Sequence, residues 1–169
     1  FHDNPFISYD FLDICEQSGC AVERQGWGAH HLSIEDDAGR IGAVLPFYAK
    51  SHSQGEYVFD HSWADAYERA GGQCDPKLSA AAPLSPVPGP RLLVRPDIDR
   101  NEGRRMLIGA AMTFAKDAGI STIGFNFPMA DEWKFMGEEG LLQRQNQQYH
   151  WLNQGYATFD DFLGALSSG

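Results

Sequence analysis

Basic residues and cysteines are both scarce in this chain. Of 169 residues, 13 are Lys or Arg against 23 Asp or Glu, giving a formal net charge of −10. A field of that sign repels phosphate backbones. It argues against DNA, makes RNA an unexpected partner, and disfavours docking on an anionic membrane surface. No apolar run approaches the roughly 20 residues that span a bilayer, and no leader pattern opens the sequence. The three cysteines, Cys15, Cys20 and Cys74, are odd in number and form no CxxC pair. That excludes a disulfide framework and a zinc ribbon, and it points to a reducing compartment, so a cytoplasmic location is expected. Cys15 falls at an apolar helix position, where a small buried hydrophobe fits. No Gly-x-Ser-x-Gly elbow, phosphate-binding Walker sequence or nucleophilic cysteine context occurs. There is no internal repeat.

What is present reads as one globular domain: 43% of residues are hydrophobic and 21% charged, enough apolar material for a core at this length. The chain opens on Phe1 and closes on small residues at 164–169, so it is expected to be a piece of a longer protein. Asn4-Pro5 and Ser8 mark a helix start, with Phe11, Leu12 and Cys15 on one face and Gly19 as its stop. Leu32 and Ile34 alternate with Ser33 and Glu35 as a strand, and residues 36–39 end in a glycine that turns the chain. The return run, 41–48, is nearly all apolar and predicts a strand buried on both faces. Pro46 within it cannot donate to a ladder, so an edge or bulge must accommodate it.

Residues 57–59 read as a short strand, 62–70 as a helix, and 76–90, with five prolines, as extended or looped backbone. A strand at 92–94 follows. Asp97 or Asp99 can cap a long helix to Ala118 whose stripe is Leu107, Ala110, Ala111, Phe114 and Ala118. Ile123, Phe125 and Phe127 alternate as a strand, 130–139 is a helix, and 141–151 reads as a strand. Thr158 and Asp161 make a capping box for a last helix. The order predicts a mixed α/β sheet flanked by helices.

The densest chemistry lies in 50–67, where Lys50, His52, Glu56, Asp60, His61 and Asp65 sit among four aromatics. Aromatic walls with a few convergent polar groups are what ligand sites use. His52, Asp60 and His61 are the candidate acid–base residues; a His–Asp pair that merely ties down a loop is the competing reading. Trp63 and Tyr67, four apart, share a helix face, either as pocket wall or as core. Lys50 and Tyr57 are candidate substrate contacts. Lys77 is a candidate point charge for an anionic group, or a surface lysine. Gln148 and His150 share one face of the last expected strand, as substrate wall or solvated surface. No metal is expected: the histidines lack ligand spacing, and His30 and His31 would point to opposite faces.

Several words resemble the FemAB-like family of predicted N-acyltransferases, peptidoglycan biosynthesis or recognition proteins. They include Asn4-Pro5-Phe6, Lys50-Ser-His-Ser-Gln-Gly-Glu-Tyr-Val-Phe-Asp60, Trp63-Ala-Asp-Ala-Tyr67, Pro86-Val-Pro-Gly-Pro-Arg91, Gln148-Tyr-His-Trp151 and Phe159-Asp-Asp-Phe162. The resemblance spans essentially the whole chain. It implies a GNAT-like (acyl-CoA N-acyltransferase) fold and a tandem protein of which residues 1–169 are the N-terminal half. The C-terminal half of the same protein is then a partner. The implied activity is transfer of an acyl or aminoacyl group to a small-molecule or peptide amine, with acyl-CoA or aminoacyl-tRNA as donor. The alternative is a non-catalytic module that recognises a peptide or cell-wall precursor. The resemblance also implies a seat for the donor's pyrophosphate at the long helix, where Arg100 and Gly103 match the expected turn. Arg105 and Glu102 depart from it. Cys74-Asp75 and the run at 79–82 also depart from the family's usual residues, beside the proposed pocket.

Overall fold

The computed structural model describes residues 4–58, 61–145, 147 and 149–166. Its elements run in the order helix α1 (Tyr9–Gln17), strands β1 (Trp27–Ala29), β2 (Leu32–Glu35), β3 (Ile41–Leu45) and β4 (Tyr48–Lys50), then helix α2 (His61–Arg69). Strands β5 (Lys77–Ala80) and β6 (Leu93–Val94) follow, then α3 (Arg100–Ala118), β7 (Ile123–Phe125), α4 (Ala130–Glu138) and α5 (Phe159–Ala165). This is a mixed α/β fold with antiparallel and parallel pairing and flanking helices, consistent with the expected GNAT-like arrangement.

The strands form two ladders, β1-β4-β5-β7 and β2-β3-β6. They are two ends of one hairpin. Ala29 lies opposite Tyr48 and Leu32 opposite Leu45, so three residues advance on each strand across the gap and the register is kept. The gap falls at Pro46. Having no N–H, it cannot hold the ladder, and the next amide, Phe47 N–H, donates to the side chain of His31 at 3.0 Å. The expected continuous strand 41–48 is therefore two strands, and the awkward proline is where they part.

β5 and β6 both pair with the far edge of this hairpin strand. Ser79 faces Tyr48, and Leu93 faces Val44. The proline-rich residues between them leave the sheet as a loop. That loop is pinned by Glu132 of α4, whose two carboxylate oxygens accept the N–H groups of Arg91 and Leu92 at 2.8 and 2.9 Å. Arg91, fully buried, donates to the carbonyls of Asn126 and Val87, 2.8 Å each. Buried donors and acceptors are costly unless matched, and here they are matched within one knot.

The main core lies between the sheet and α3 with α4: Leu45, Phe47, Leu78, Leu92, Leu107, Ile108, Ala111 and Phe135. The expected α3 stripe holds at Leu107 and Ala111. Asp99 caps α3 by accepting from Glu102 N–H at 2.8 Å, and Gly119 ends it in a left-handed conformation. On the other face, Trp27, Tyr48, Ala21 and Ala81 form a smaller cluster with Cys15 of α1 against it. Ser8 caps α1, and Thr158 with Asp161 forms the capping box of α5, as their spacing predicts.

Two expected strands, 57–59 and 141–151, are not found among the described residues, and residues 59, 146 and 148 lie outside them. Tyr57 and Val58 are not in a strand, because Tyr57 has a left-handed φ of 56° that no ladder accepts. The described residues of 141–151 form no strand either; they are mostly exposed.

Close packing makes one glycine of α3 indispensable. A Cβ on Gly103 would lie 2.6 Å from Val94 Cγ1, whereas one on Gly109 would meet nothing within 4 Å. Alanine is the better helix former by about 1 kcal/mol. Gly109→Ala should therefore raise stability by about 0.5–1 kcal/mol, and Gly103→Ala should lower it by about 1–3 kcal/mol through overpacking. Urea unfolding of the two variants reads this directly.

Candidate functional site

The expected site begins where β4 ends. Lys50 and Lys77 are direct cross-strand partners on β4 and β5. Like charges so placed repel, and both side chains are buried. The following loop, 51–58, resolves the conflict. Lys77 Nζ lies 2.9 Å from Glu56 Oε2 and donates to Ser53 Oγ at 2.7 Å. Lys50 Nζ donates to the Gln54 carbonyl at 3.1 Å and sits 3.7 Å from the centre of the Trp27 ring. Burial pulls the Lys50 amine down to about 8; Glu56 and Asp75 oppose that shift and Lys77 adds to it. The loop is thus a lid folded over two buried ammonium groups. Its closest approach is at Gly55, where a Cβ would come within 2.8 Å of Leu84 and 3.4 Å of Trp27.

The loop presents Tyr57 outward. Tyr57 is 52% exposed and held in the left-handed region, as is Leu84 in the neighbouring loop. A non-glycine residue there costs about 1–2 kcal/mol, and such strain collects at functional sites. His52 lies earlier in the loop. Its Nδ1 accepts from Gln54 N–H at 3.2 Å and its ring rests on Gly26. Asp60 and Gln148 lie outside the described residues, and His61 opens α2 with its side chain outside them too. Trp63 and Tyr67 are exposed on α2, Trp63 at 65% with the guanidinium of Arg144 5.2 Å from its ring centre. They are surface and not core. His150 is exposed in non-strand backbone.

The structure therefore brings together Lys50, Lys77, His52 and Tyr57 around one loop, and sets His150 on separate backbone. The two lysines act from beneath the loop and not on its surface. Arg100 and Gly103 do begin α3, but Gly103 packs on Val94 and the first turn is capped by the Asp99 carboxylate beside Glu102. Acidic groups there oppose a pyrophosphate.

A second feature escaped the sequence reading. Beneath α1, a cavity of about 510 Å³ opens between the helix and strands β3 and β6. At its end His31 Nε2 lies 2.8 Å from Glu16 Oε1, and Tyr48 donates to the same oxygen at 3.2 Å. Burial and the Glu16 charge push the Tyr48 phenol well above its ordinary range, so it remains a donor. Tyr48 reads in sequence as part of a buried strand, and nothing near Glu16 along the chain marks it. The one available signal was Pro46, whose missing amide frees a neighbour for a side chain. His30 turns the other way, onto Phe114. Among the described residues no helix is long and apolar enough to cross a membrane, and no three His, Cys, Asp or Glu side chains gather as a metal site.

A mixed sheet with a strained loop folded over two strand-end lysines defines an α/β protein with a candidate site at that loop. The sequence profile of the FemAB-like family, described as peptidoglycan biosynthesis/recognition, matches residues 1–169, the whole chain. The chain belongs to that family. No curated protein and no solved structure gives a match.

Lys50 makes a pH test of this geometry. Below pH 8 it is protonated folded or unfolded, and the folded state bears the full cost of burying the charge. Between about 8 and the ordinary value of 10.5, the folded chain releases the proton first, so stability rises with pH. The stability of the wild type relative to Lys50→Met should accordingly climb across that window, by up to about 3 kcal/mol. Urea titrations at pH 7.5 and 10.5 that show an unchanged difference would remove the buried ammonium from the account.

Proposed function

We propose that this chain is the acceptor-side, GNAT-like half of an N-acyltransferase that passes an acyl or aminoacyl group to an amine in peptidoglycan biosynthesis. The observation that carries the reading is the loop 51–58: strained, with Tyr57 exposed, and fixed from beneath by Lys50, Glu56 and Lys77. Fixed loops bearing exposed aromatics suit orientation of a substrate, and orientation is the largest share of what a direct transfer needs. Membership of the family supports the same reading.

In the proposed reaction the amine nitrogen attacks the donor's carbonyl carbon. The new N–C bond forms, the carrier's thiolate or tRNA hydroxyl leaves, and the amine proton passes to a base. His52, Asp60 and His61 are the proposed candidates for that base, and Tyr57, Trp63 and Tyr67, with Lys77 behind them, for the acceptor wall. Gln148 and His150 are assigned to the acceptor as well. The donor is acyl-CoA or aminoacyl-tRNA. With carboxylates at the start of α3, the donor's anionic part is assigned to the C-terminal half of the same protein and not to Arg100 and Gly103.

The acidic first turn of α3 also favours a second reading, in which this half only recognises a peptide or cell-wall precursor. Acetyl-CoA or aminoacyl-tRNA with candidate amines, added to this chain and to the tandem protein, separates the two. Release of thiol or deacylated tRNA by the tandem protein alone assigns recognition to this half. Turnover by this chain alone assigns it the chemistry. Silence from both with every donor would overturn acyl transfer. In whichever form is active, Tyr57→Gly should relieve about 1 kcal/mol of backbone strain and yet raise KM for the amine several-fold. An unchanged KM would take Tyr57 out of the acceptor wall.

A further inference from the structure

The cavity beneath α1 has walls and charges of its own, away from the loop assigned to the acceptor. Its body is apolar: Leu12 from the helix, Val44 from β3, Leu93 from β6, and Pro46 at the break in the hairpin. About 510 Å³ holds a small organic molecule. Apolar walls by themselves name no ligand, so the polar end decides.

At that end every hydrogen bond points toward Glu16. The Phe47 amide donates to His31 Nδ1, which leaves the ring's proton on Nε2; that Nε2–H then donates to Glu16 Oε1, and Tyr48 O–H donates to the same oxygen. The carboxylate is fixed in place through one oxygen. Its other oxygen, Oε2, receives no donor among the described residues, and the side chain is 29% exposed. The second acid lining the cavity, Asp13, accepts from Gln17 at 2.6 Å. The cavity's cation, Arg95, has its charge met by two carboxylates, Asp97 and Asp36, and also donates to the Ile41 carbonyl. The site therefore has an oriented anionic acceptor to offer and no uncommitted cation.

We propose that this cavity is a binding site for a small amphipathic amine, with an alkyl or aryl body lodged between α1 and strands β3 and β6 and an ammonium group held by Glu16 Oε2. An ammonium donates to Oε2 in place of water and brings the opposite charge, which a neutral donor does not. An alcohol of the same length fills the same walls and makes the weaker bond. A carboxylate meets Glu16 as a like charge and finds the charge of Arg95 already balanced by two acids.

Binding is measured on the chain with no acyl donor present, so this inference and the acyl-transfer reading fail separately. The probes are hexylamine, hexan-1-ol and hexanoate, followed by calorimetry and by methyl NMR. Hexylamine should bind about tenfold or more tightly than hexanol, with hexanoate weakest, and shifts should centre on the methyls of Leu12, Val44 and Leu93. Glu16→Gln keeps a carbonyl for His31 and Tyr48 and should erase the preference for the amine while leaving hexanol binding in place. Equal affinities, a preference for hexanoate, or shifts centred on Leu107 in the opposite core would overturn the site. The three-probe comparison on the wild-type chain decides this even if the variant does not fold.

Discussion

Pro46 has no amide hydrogen, and most of the functional geometry follows from that. A ten-residue strand from Ile41 to Lys50 would otherwise pair along its whole length with the strand from Trp27 to Glu35. The proline interrupts it without shifting register, so the two halves keep their partners while the joint between them is released from the ladder. The released Phe47 amide fixes His31, and His31 helps fix Glu16. On either side of the joint the strand serves different ends. Leu45 and Phe47 feed the core under α3, Tyr48 stands against α1, and Lys50 carries the loop that follows.

Buried charge is the second organising constraint. Lys50, Lys77 and Arg91 lie inside the protein, and each is met by an acceptor drawn from a connection instead of a strand. Glu56, Ser53 and the Gln54 carbonyl come from the loop after β4, and the Val87 and Asn126 carbonyls come from loops that flank Arg91. Such groups are poor sources of net stability, because desolvation offsets most of the attraction. What they confer is position: a loop that must satisfy a buried ammonium has few conformations available. The loop 51–58 and the proline-rich loop then meet where Gly55 touches Leu84. Tyr57 and Leu84, the strained residues of those two loops, border that contact.

Much of the scaffold was legible because its signals are local. Ser8, Asp99 and the Thr158–Asp161 pair are caps whose partners lie within three residues, and each caps the helix expected of it. The hairpin and the apolar face of α3 follow from period and turn chemistry. The misread strands at 57–59 and 141–151 had the right alternation, but alternation is satisfied only if an edge lies beside it. Tyr57, with its left-handed backbone, joins no ladder, and neither do the described residues after Leu141, which are mostly exposed. Lys77 read as a point charge for substrate or as a surface lysine, because nothing near it in sequence announces Glu56 and Ser53 across the sheet.

The sequence by itself determined the class of fold, most helix ends and the acidic net charge, and it singled out the segment that starts at Lys50. These depend on composition and on residues close along the chain. Only the tertiary structure decided that the lysines work from inside, that Trp63 and Tyr67 face outward, and that Glu16, His31 and Tyr48, separated by 15 and 32 residues from the carboxylate they serve, meet at the rim of a cavity. Those outcomes depend on which surfaces are buried against each other, and burial is a property of the packed chain, not of any stretch of it.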